Sequence, residues 1–410
     1  VANILDFLTW LGDIPLKYVP FCEVDALICA QVAYCNLDGV VPGEEEKTTI
    51  TVAQAAERYV DFLANDPAHH IHGVISPLTQ QLLPRMAAGE RYKKARLSRW
   101  CRRTNPQNNE QFAALTIDFP AGPRFISFRG TDDTLVGWRE DFDMTFGQVP
   151  AQADAAAYLE RTGARRGAPL MLGGHSKGGN LAMYAAHTAP KRLFNRIDTV
   201  WNMDGPGFDP SVATARELAP VQAITRTYVP AYDIVAGLLS QHTPYKRVAS
   251  DERGVMQHSA MSWQVEATHF VEAPEQDPES VAITNTLNRW LKKESGPARK
   301  AIYDGFFTAL EGAGVRTISG LSEPNAELYA KVASNVSQLP QETRDYVADM
   351  LADLFKTLVA CRAKSASEAV RAKAGELWEQ TQAAAAAAAA SANARSAGNA
   401  SNPAASDPTP

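Results

Sequence analysis

Apolar residues recur along this chain with two different periods. At 3–11, 24–34 and 51–63 they fall three and four apart, as in Val52, Ala55, Ala56, Tyr59, Val60 and Leu63, which predicts amphipathic helices. Between 111 and 229 short apolar runs alternate with helical stretches. Strands are predicted at 111–119, 124–129, 170–172, 197–203 and 223–229, and helices at 153–162 and 181–188. Runs that are apolar at consecutive positions belong to strands buried on both faces. The alternation therefore predicts a largely parallel sheet covered by helices on each side, an α/β fold. From about 279 the strands stop, and helical spacing returns at 278–293, 298–310, 326–336 and 342–361. An eight-alanine run at 383–390 leads into a Ser/Asn/Ala/Pro tail that has almost no apolar area with which to order itself. The expected organisation is an α/β domain with N-terminal helices over 1–278, a helical extension over 279–380, and an Ala-rich disordered tail over 381–410.

One junction in the alternating region carries chemistry. The apolar run Leu170-Met-Leu172 meets Gly174-His-Ser-Lys-Gly178, and a helical stretch follows at once. A strand, a sharp turn and a helix around Gly-x-Ser-x-Gly form a nucleophile elbow, in which Ser176 sits at a strained backbone angle and its hydroxyl is lifted clear of the sheet. The bland alternative is a turn whose serine only caps the helix. A serine hydroxyl is a weak nucleophile at neutral pH, so it needs a histidine base and an acid to orient that base. In this setting the chain order is serine, acid, histidine.

After Ser176 the histidines are His187, His242, His258 and His269. His187 lies on the helix behind the elbow and points away. His258, just before a strand-like segment, is the preferred base over His242 and His269. Asp233, after the run Thr225-Arg-Thr-Tyr-Val-Pro, is the preferred acid. Asp204, after the preceding strand, is the second choice, with an ordinary Asp-Gly turn as its plain reading. An oxyanion needs two preorganised donors. The amide of Lys177 at the start of the helix supplies one. Thr131, after the apolar run Phe125-Ile-Ser-Phe and a glycine turn, offers its amide and hydroxyl as the second.

Composition narrows the partners. A net charge of −6 argues against nucleic acid as the main one. Arg91 to Arg103 is a local exception, with seven basic residues in thirteen, read either as a solvated strand or helix end or as a site for phosphate or carboxylate groups. The five cysteines have no metal-ligand spacing and read as reduced thiols, which with the absence of a signal-peptide pattern at 1–13 makes the cytoplasm the expected location. No run of 18 apolar residues is present, so no integral membrane segment is expected. With no dinucleotide fingerprint and no metal cluster in the sequence, neither a cofactor nor a metal is expected.

Phe128-Arg-Gly-Thr131, Gly137-Trp-Arg-Glu-Asp-Phe142 and Gly174-His-Ser-Lys-Gly-Gly-Asn-Leu-Ala182 together resemble the fungal-type (class-three) lipase relatives among the α/β-hydrolases. Asn3-Ile-Leu-Asp-Phe-Leu8, Trp10-Leu-Gly-Asp13, Phe21-Cys-Glu-Val-Asp25 and Met203-Asp-Gly-Pro-Gly-Phe208 narrow the resemblance to the Mbeg-like bacterial hydrolases, over about residues 3–270. It implies a three-layer α/β-hydrolase core, Ser176, Asp233 and His258 as triad, and Thr131 and Lys177 at the oxyanion hole. The chain departs from lipases proper in carrying Lys177 after the nucleophile and no long apolar lid, which argues against bulk triglyceride. The expected activity is cleavage of a carboxylic ester, lipid-like or an acylated small molecule, through an acyl-enzyme on Ser176. The competing reading is a binding or scaffold protein on a decayed hydrolase fold.

Overall fold

A computed structural model describes residues 2–65, 71, 75–132, 134–163, 168–239, 243–293, 296–317 and 326–346, with single positions onward to Cys361. The tail predicted at 381–410 and the base candidate His242 lie outside the described residues. Contacts divide the chain into Val1–Leu354 and Phe355–Pro410. In the second unit the described residues, 356, 357 and 359–361, are helical.

Eight strands form one sheet in chain order: β1 (Ile50–Thr51), β2 (Arg96–Asn105), β3 (Glu110–Asp118), β4 (Arg124–Phe128), β5 (Leu170–His175), β6 (Ile197–Met203), β7 (Thr225–Pro230) and β8 (Tyr245–Val248). The strands β4 to β8 are parallel, as the alternation predicts. The strands β1 to β4 are antiparallel, and here the sequence expectation of a largely parallel sheet is corrected. The physical reason is connection length: only short turns separate β2, β3 and β4, too short for the crossover that parallel pairing requires.

Residue parity along the strands separates two apolar layers. Ala113, Leu115, Phe125 and Trp201 join one cluster, while Phe112, Ala114, Ile126 and Val200 join the other, because successive side chains leave a strand on opposite faces. The first layer is closed by α1 (Ile4–Trp10), α2 (Glu23–Val32), α3 (Val52–Asn65) and α4 (Leu82–Ala88). The second is closed by α6 (Pro150–Thr162), α7 (Lys177–Thr188) and α9 (Ala215–Gln222), with α5 (Leu135–Asp143) and the short α8 (Lys191–Phe194) before and after α7. Two faces of one sheet, each under helices, give the three-layer α/β-hydrolase architecture. A separate two-stranded ribbon, β9 (Val265–Glu266) and β10 (His269–Phe270), precedes α10 (Pro278–Lys293), α11 (Gly296–Gly312) and α12 (Ala326–Ser337).

The helix α2 is buried along nearly its whole length, and a buried ion pair fixes its start. Asp25 accepts from the Cys22 amide at 2.8 Å and receives Arg91 on both oxygens, at 2.7 and 2.5 Å, together with the Tyr92 hydroxyl. Arg91 spends its remaining donors on the carbonyls of Ile14, Val19 and Pro20. The basic run 91–103 is thus neither solvated at Arg91 nor a vacant anion site: Arg102 pairs with Asp38, and Arg103 with Glu44 and Asp154. Arg91→Met should leave the Asp25 carboxylate buried without its counter-charge and cost about 3–5 kcal/mol in chemical denaturation. A loss under about 1 kcal/mol would mean that Asp25 takes up a proton instead.

Candidate active site

Ser176 joins β5 to α7 with φ of 57° and ψ of −134°, a left-handed backbone in a non-glycine residue. That turn is possible because the first turn of α7 presses against the end of β4. A Cβ on Gly178 would lie 2.1 Å from Phe128 O, and one on Gly174 would lie 2.4 Å from the same oxygen. On the β4 side, a Cβ on Gly130 would meet the Tyr34 hydroxyl at 2.2 Å and Ser176 Cβ at 3.0 Å. The three glycines let two backbones and Ser176 share one small volume.

Asp204, at the end of the adjacent strand β6, is also left-handed, with φ of 56°. The two strained residues are tied together, since the Ser176 amide donates to Met203 O at 2.9 Å. Asn180 on α7 holds the turn after Asp204, donating to Pro206 O at 3.2 Å and Gly207 O at 2.9 Å, and itself accepts from Gln152 on α6 at 2.9 Å. Strain held in place by this much surrounding structure is characteristic of a functional site.

His258 ends a 3-10 turn, Gly254–His258, and its Nδ1 lies 2.6 Å from Asp204 Oδ2. The sequence preference for Asp233 as the imidazole's partner is corrected here: the carboxylate on His258 is Asp204, which is almost wholly buried. The reason is reach. The loop after β7 turns Asp233 inward, where its Oδ1 accepts from the Ala236 amide at 2.8 Å and its carboxyl meets Asp204 rather than the ring. His187 lies by Glu217, and His269 is exposed on β10, paired in register with Glu266. A hydrogen bond between Ser176 Oγ and His258 Nε2 is not formed. Such contacts are commonly long in free enzymes and close around substrate.

The turn bearing His258 is anchored on both sides. Trp263, buried, donates to Gln257 O at 3.0 Å, and Gln257 Oε1 accepts from the Tyr232 amide at 2.9 Å. Beneath it, His175 Nε2 lies 2.8 Å from His258 O, and the two rings pack with centroids 4.7 Å apart. A carbonyl only accepts, so His175 carries its proton on Nε2, leaving Nδ1 to accept from the Tyr34 hydroxyl at 3.2 Å. Burial, and then the nearby His258, hold His175 well below the usual histidine range, so it stays neutral.

The oxyanion candidates divide into main chain and side chain. The amides of Lys177 and Thr131 have no acceptor among the described residues. The Thr131 hydroxyl, expected as a donor to substrate, is instead given to Asp141, at 2.7 and 2.5 Å from its two oxygens. Burial pushes the Asp141 carboxyl up to about 6, against the pull of Lys177 and of this hydroxyl. The Lys177 side chain turns inward, and its three N–H donors meet Gln111 O, Gln111 Oε1 and Glu140 Oε2 at 2.9, 2.8 and 2.6 Å. Glu140 is fully satisfied in turn, accepting from the amides of Gln111 and Ala151. The ammonium therefore ties the elbow to α5 and β3.

Sequence reasoning quoted the segment 137–142 without giving its residues a role. Glu140 and Asp141 are what it contributes, and their signal was the unusual lysine after the nucleophile, which needs an acid once buried.

The helices after β10 brace both halves of this site. On α10, Glu279 accepts from the Tyr232 hydroxyl at 3.0 Å and Asn288 donates to Gly237 O at 2.8 Å, fixing the loop of Asp233. On α11, Asp304 and Glu311 receive Arg139, and Tyr303 and Phe307 pack on Phe142 with ring centroids 5.1 and 5.4 Å away, fixing α5. Among the described residues no group of three or more acidic, histidine or cysteine side chains is placed to hold a metal ion, and no helix is long and apolar enough to cross a membrane. A polar cavity of about 1080 Å³ lies away from Ser176, between the 38–58 segment and Trp100 to Arg103.

A family model described as Mbeg1-like matches residues 86–308. No curated protein matches the chain. Among solved structures it is similar to one titled "Crystal structure of M37 lipase", at 15% identity over 52% of this chain and 69% of that one, with a TM-score of 0.31.

Two outcomes follow from the bracing. Lys177→Met should lower stability by about 3–5 kcal/mol by stranding Glu140, and adding Glu140→Gln should recover part of that loss. A chain ending at residue 277 should lose thermal stability and ester turnover together, measured by calorimetry and an esterase assay. A soluble, fully active 1–277 fragment would show that α10 and α11 do not support the site.

Proposed function

This chain belongs to the Mbeg1-like family, and we propose that it is a serine hydrolase that cleaves a carboxylic ester through an acyl-enzyme on Ser176. The observation that carries the reading is the left-handed Ser176 turn standing beside an imidazole already oriented by a buried carboxylate, His258 Nδ1 to Asp204 at 2.6 Å. In the proposed reaction Ser176 Oγ attacks the ester carbon while His258 Nε2 takes the hydroxyl proton. Asp204 stabilises the imidazolium through Nδ1–H. The developing oxyanion is received by the amides of Lys177, at the positive end of α7, and Thr131. His258 then returns the proton to the departing alcohol. Water then attacks the acyl carbon while His258 takes one of its protons, and as the bond to Ser176 Oγ breaks His258 returns that proton to Oγ, releasing the carboxylic acid and restoring the free serine.

The turn that bears His258 also exposes Val255 and Met256, at 59% and 54% of their full surface, beside the base. An apolar rim at this position supports a substrate with a lipid-like acyl or alcohol part. The basic run supports no nucleic-acid role, because Arg91, Arg102 and Arg103 are spent on acids of the same chain and Arg99 on the Glu44 carbonyl. The free thiols, three of them buried, support a cytoplasmic setting.

The test is turnover of a panel of acyl esters of varied chain length, together with labelling by a fluorophosphonate. Ser176→Ala should keep the fold, lose the label, and retain only the binding and oxyanion contribution, about three to four decades above the uncatalysed rate. An unlabelled wild-type chain that turns over no ester would favour the alternative, a hydrolase fold retained for binding. Unchanged turnover in the alanine variant would remove Ser176 from the reaction.

A further inference from the structure

Asp204 and Asp233 are two buried carboxyl groups in contact, 1% and 5% exposed, and only one of them faces the imidazole. Asp204 Oδ2 is occupied by His258, while its Oδ1 is buried with no N–H or hydroxyl donor against it among the described residues. Two carboxylates in contact in a dry interior are not both ionised, so the pair holds a proton. The choice of owner follows from the surroundings. Asp204 faces an imidazole N–H, which favours its charge. Asp233 has the amides of Ala236 and Gly237 on it and, among the described residues, no cation paired with it. Among the described residues the elements packed around it add no compensating charge: α10 presents the neutral Thr284 hydroxyl to its backbone carbonyl at 3.5 Å, and the titratable groups facing it are Asp204 and, beyond it, His258.

We infer that Asp233 is a neutral carboxylic acid which donates its proton to Asp204 Oδ1, making it the positioning residue that fixes the catalytic carboxylate against His258. The inference rests on the hydrolase reading for its catalytic consequence, but not for the protonation itself. With both oxygens of Asp204 engaged, the carboxylate is locked in one rotamer and Oδ2 stays aimed at Nδ1. Burial, then the Asp204 charge, then the bond between the two push Asp233 up from its ordinary value of 3.8 to about 9.

The sign of the pH dependence follows. A carboxyl whose folded-state pKa is raised contributes stability that is full below about 4 and is lost progressively as pH climbs to about 9, because the unfolded chain ionises first. An asparagine at 233 reproduces both bonds, with Oδ1 accepting from Ala236 and Nδ2 donating to Asp204, and it does not titrate.

The experiment compares Asp233→Asn, Asp233→Leu and the wild type by thermal midpoint across pH and by the pH profile of kcat/KM. The thermal midpoint of Asp233→Asn relative to wild type should rise steadily from about pH 5 to about pH 9. Its kcat should fall less than about tenfold, while Asp233→Leu, which leaves Asp204 Oδ1 bare, should lose about a hundredfold or more, in kcat rather than KM. The alkaline decline of kcat/KM near 9 in the wild type should be absent in Asp233→Asn.

A midpoint difference that is flat with pH, or an asparagine variant as inactive as the leucine one, would overturn the inference. If neither variant folds, infrared titration of the wild type decides: a carboxylic C=O band that survives neutral pH and vanishes through about 9 supports the assignment, and its absence rejects it. Failure of the hydrolase reading would show separately, as a wild type that no fluorophosphonate labels, and the two titrations would still test the proton on Asp233.

Discussion

The structure depends on one close approach, that of the first turn of α7 to the end of β4. Phe128 O lies where a Cβ on either Gly174 or Gly178 would have to be, and Gly130 brings the loop after β4 to within van der Waals contact of Ser176. Any side chain at these positions would push the helix away from the sheet. That displacement would relax the serine, separate the Lys177 amide from the Thr131 amide, and draw Lys177 Nζ out of its three acceptors. The left-handed Ser176, the two amides unpaired among the described residues and the buried ion pair are therefore consequences of a single packing constraint. The left-handed Asp204 extends it to the next strand, because Ser176 N–H is satisfied by Met203 O immediately before that residue.

Much of this was legible in the chain because glycine spacing and apolar period are local signals. The elbow turn, the parallel strands β4 to β7 and helices on each face are all encoded within short windows, whereas β8 carries too short an apolar run to stand out. The identity of the acid is not local. Asp204 and Asp233 both follow apolar strands, both end at the same edge of the sheet, and both are followed by turn-forming residues. Which one meets the imidazole is decided by how the β7 loop curls inward onto the Ala236 amide, and no spacing rule contains that. The same holds for Thr131, whose hydroxyl looked available until Asp141 arrived from a helix ten residues on. The sequence leaves the strand β2 open because its arginines read equally as a solvated strand or a helix end; Arg96 and Arg102 are indeed exposed, and Arg102 and Arg103 pair with Asp38, Glu44 and Asp154.

The helices after β10 follow a related logic. They add apolar surface to two elements that are otherwise exposed on one side, α5 and the loop after β7, and those two carry Glu140, Asp141 and Asp233. Polar groups buried at a catalytic edge need rigid supports to hold their hydrogen bonds in one arrangement. Such support holds the edge bearing Ser176 and His258 together from segments at the rim of the sheet.

The most direct test of the account is a crystal structure of the Ser176 adduct formed with an alkyl phosphonate, whose tetrahedral phosphorus stands in for the attacked ester carbon. The account predicts the phosphonyl oxygen on the amides of Lys177 and Thr131, His258 Nε2 within hydrogen-bond reach of the adduct, and Nδ1 still on Asp204. An adduct whose oxygen points away from both amides, or an imidazole that has left Asp204 for Asp233, would contradict it.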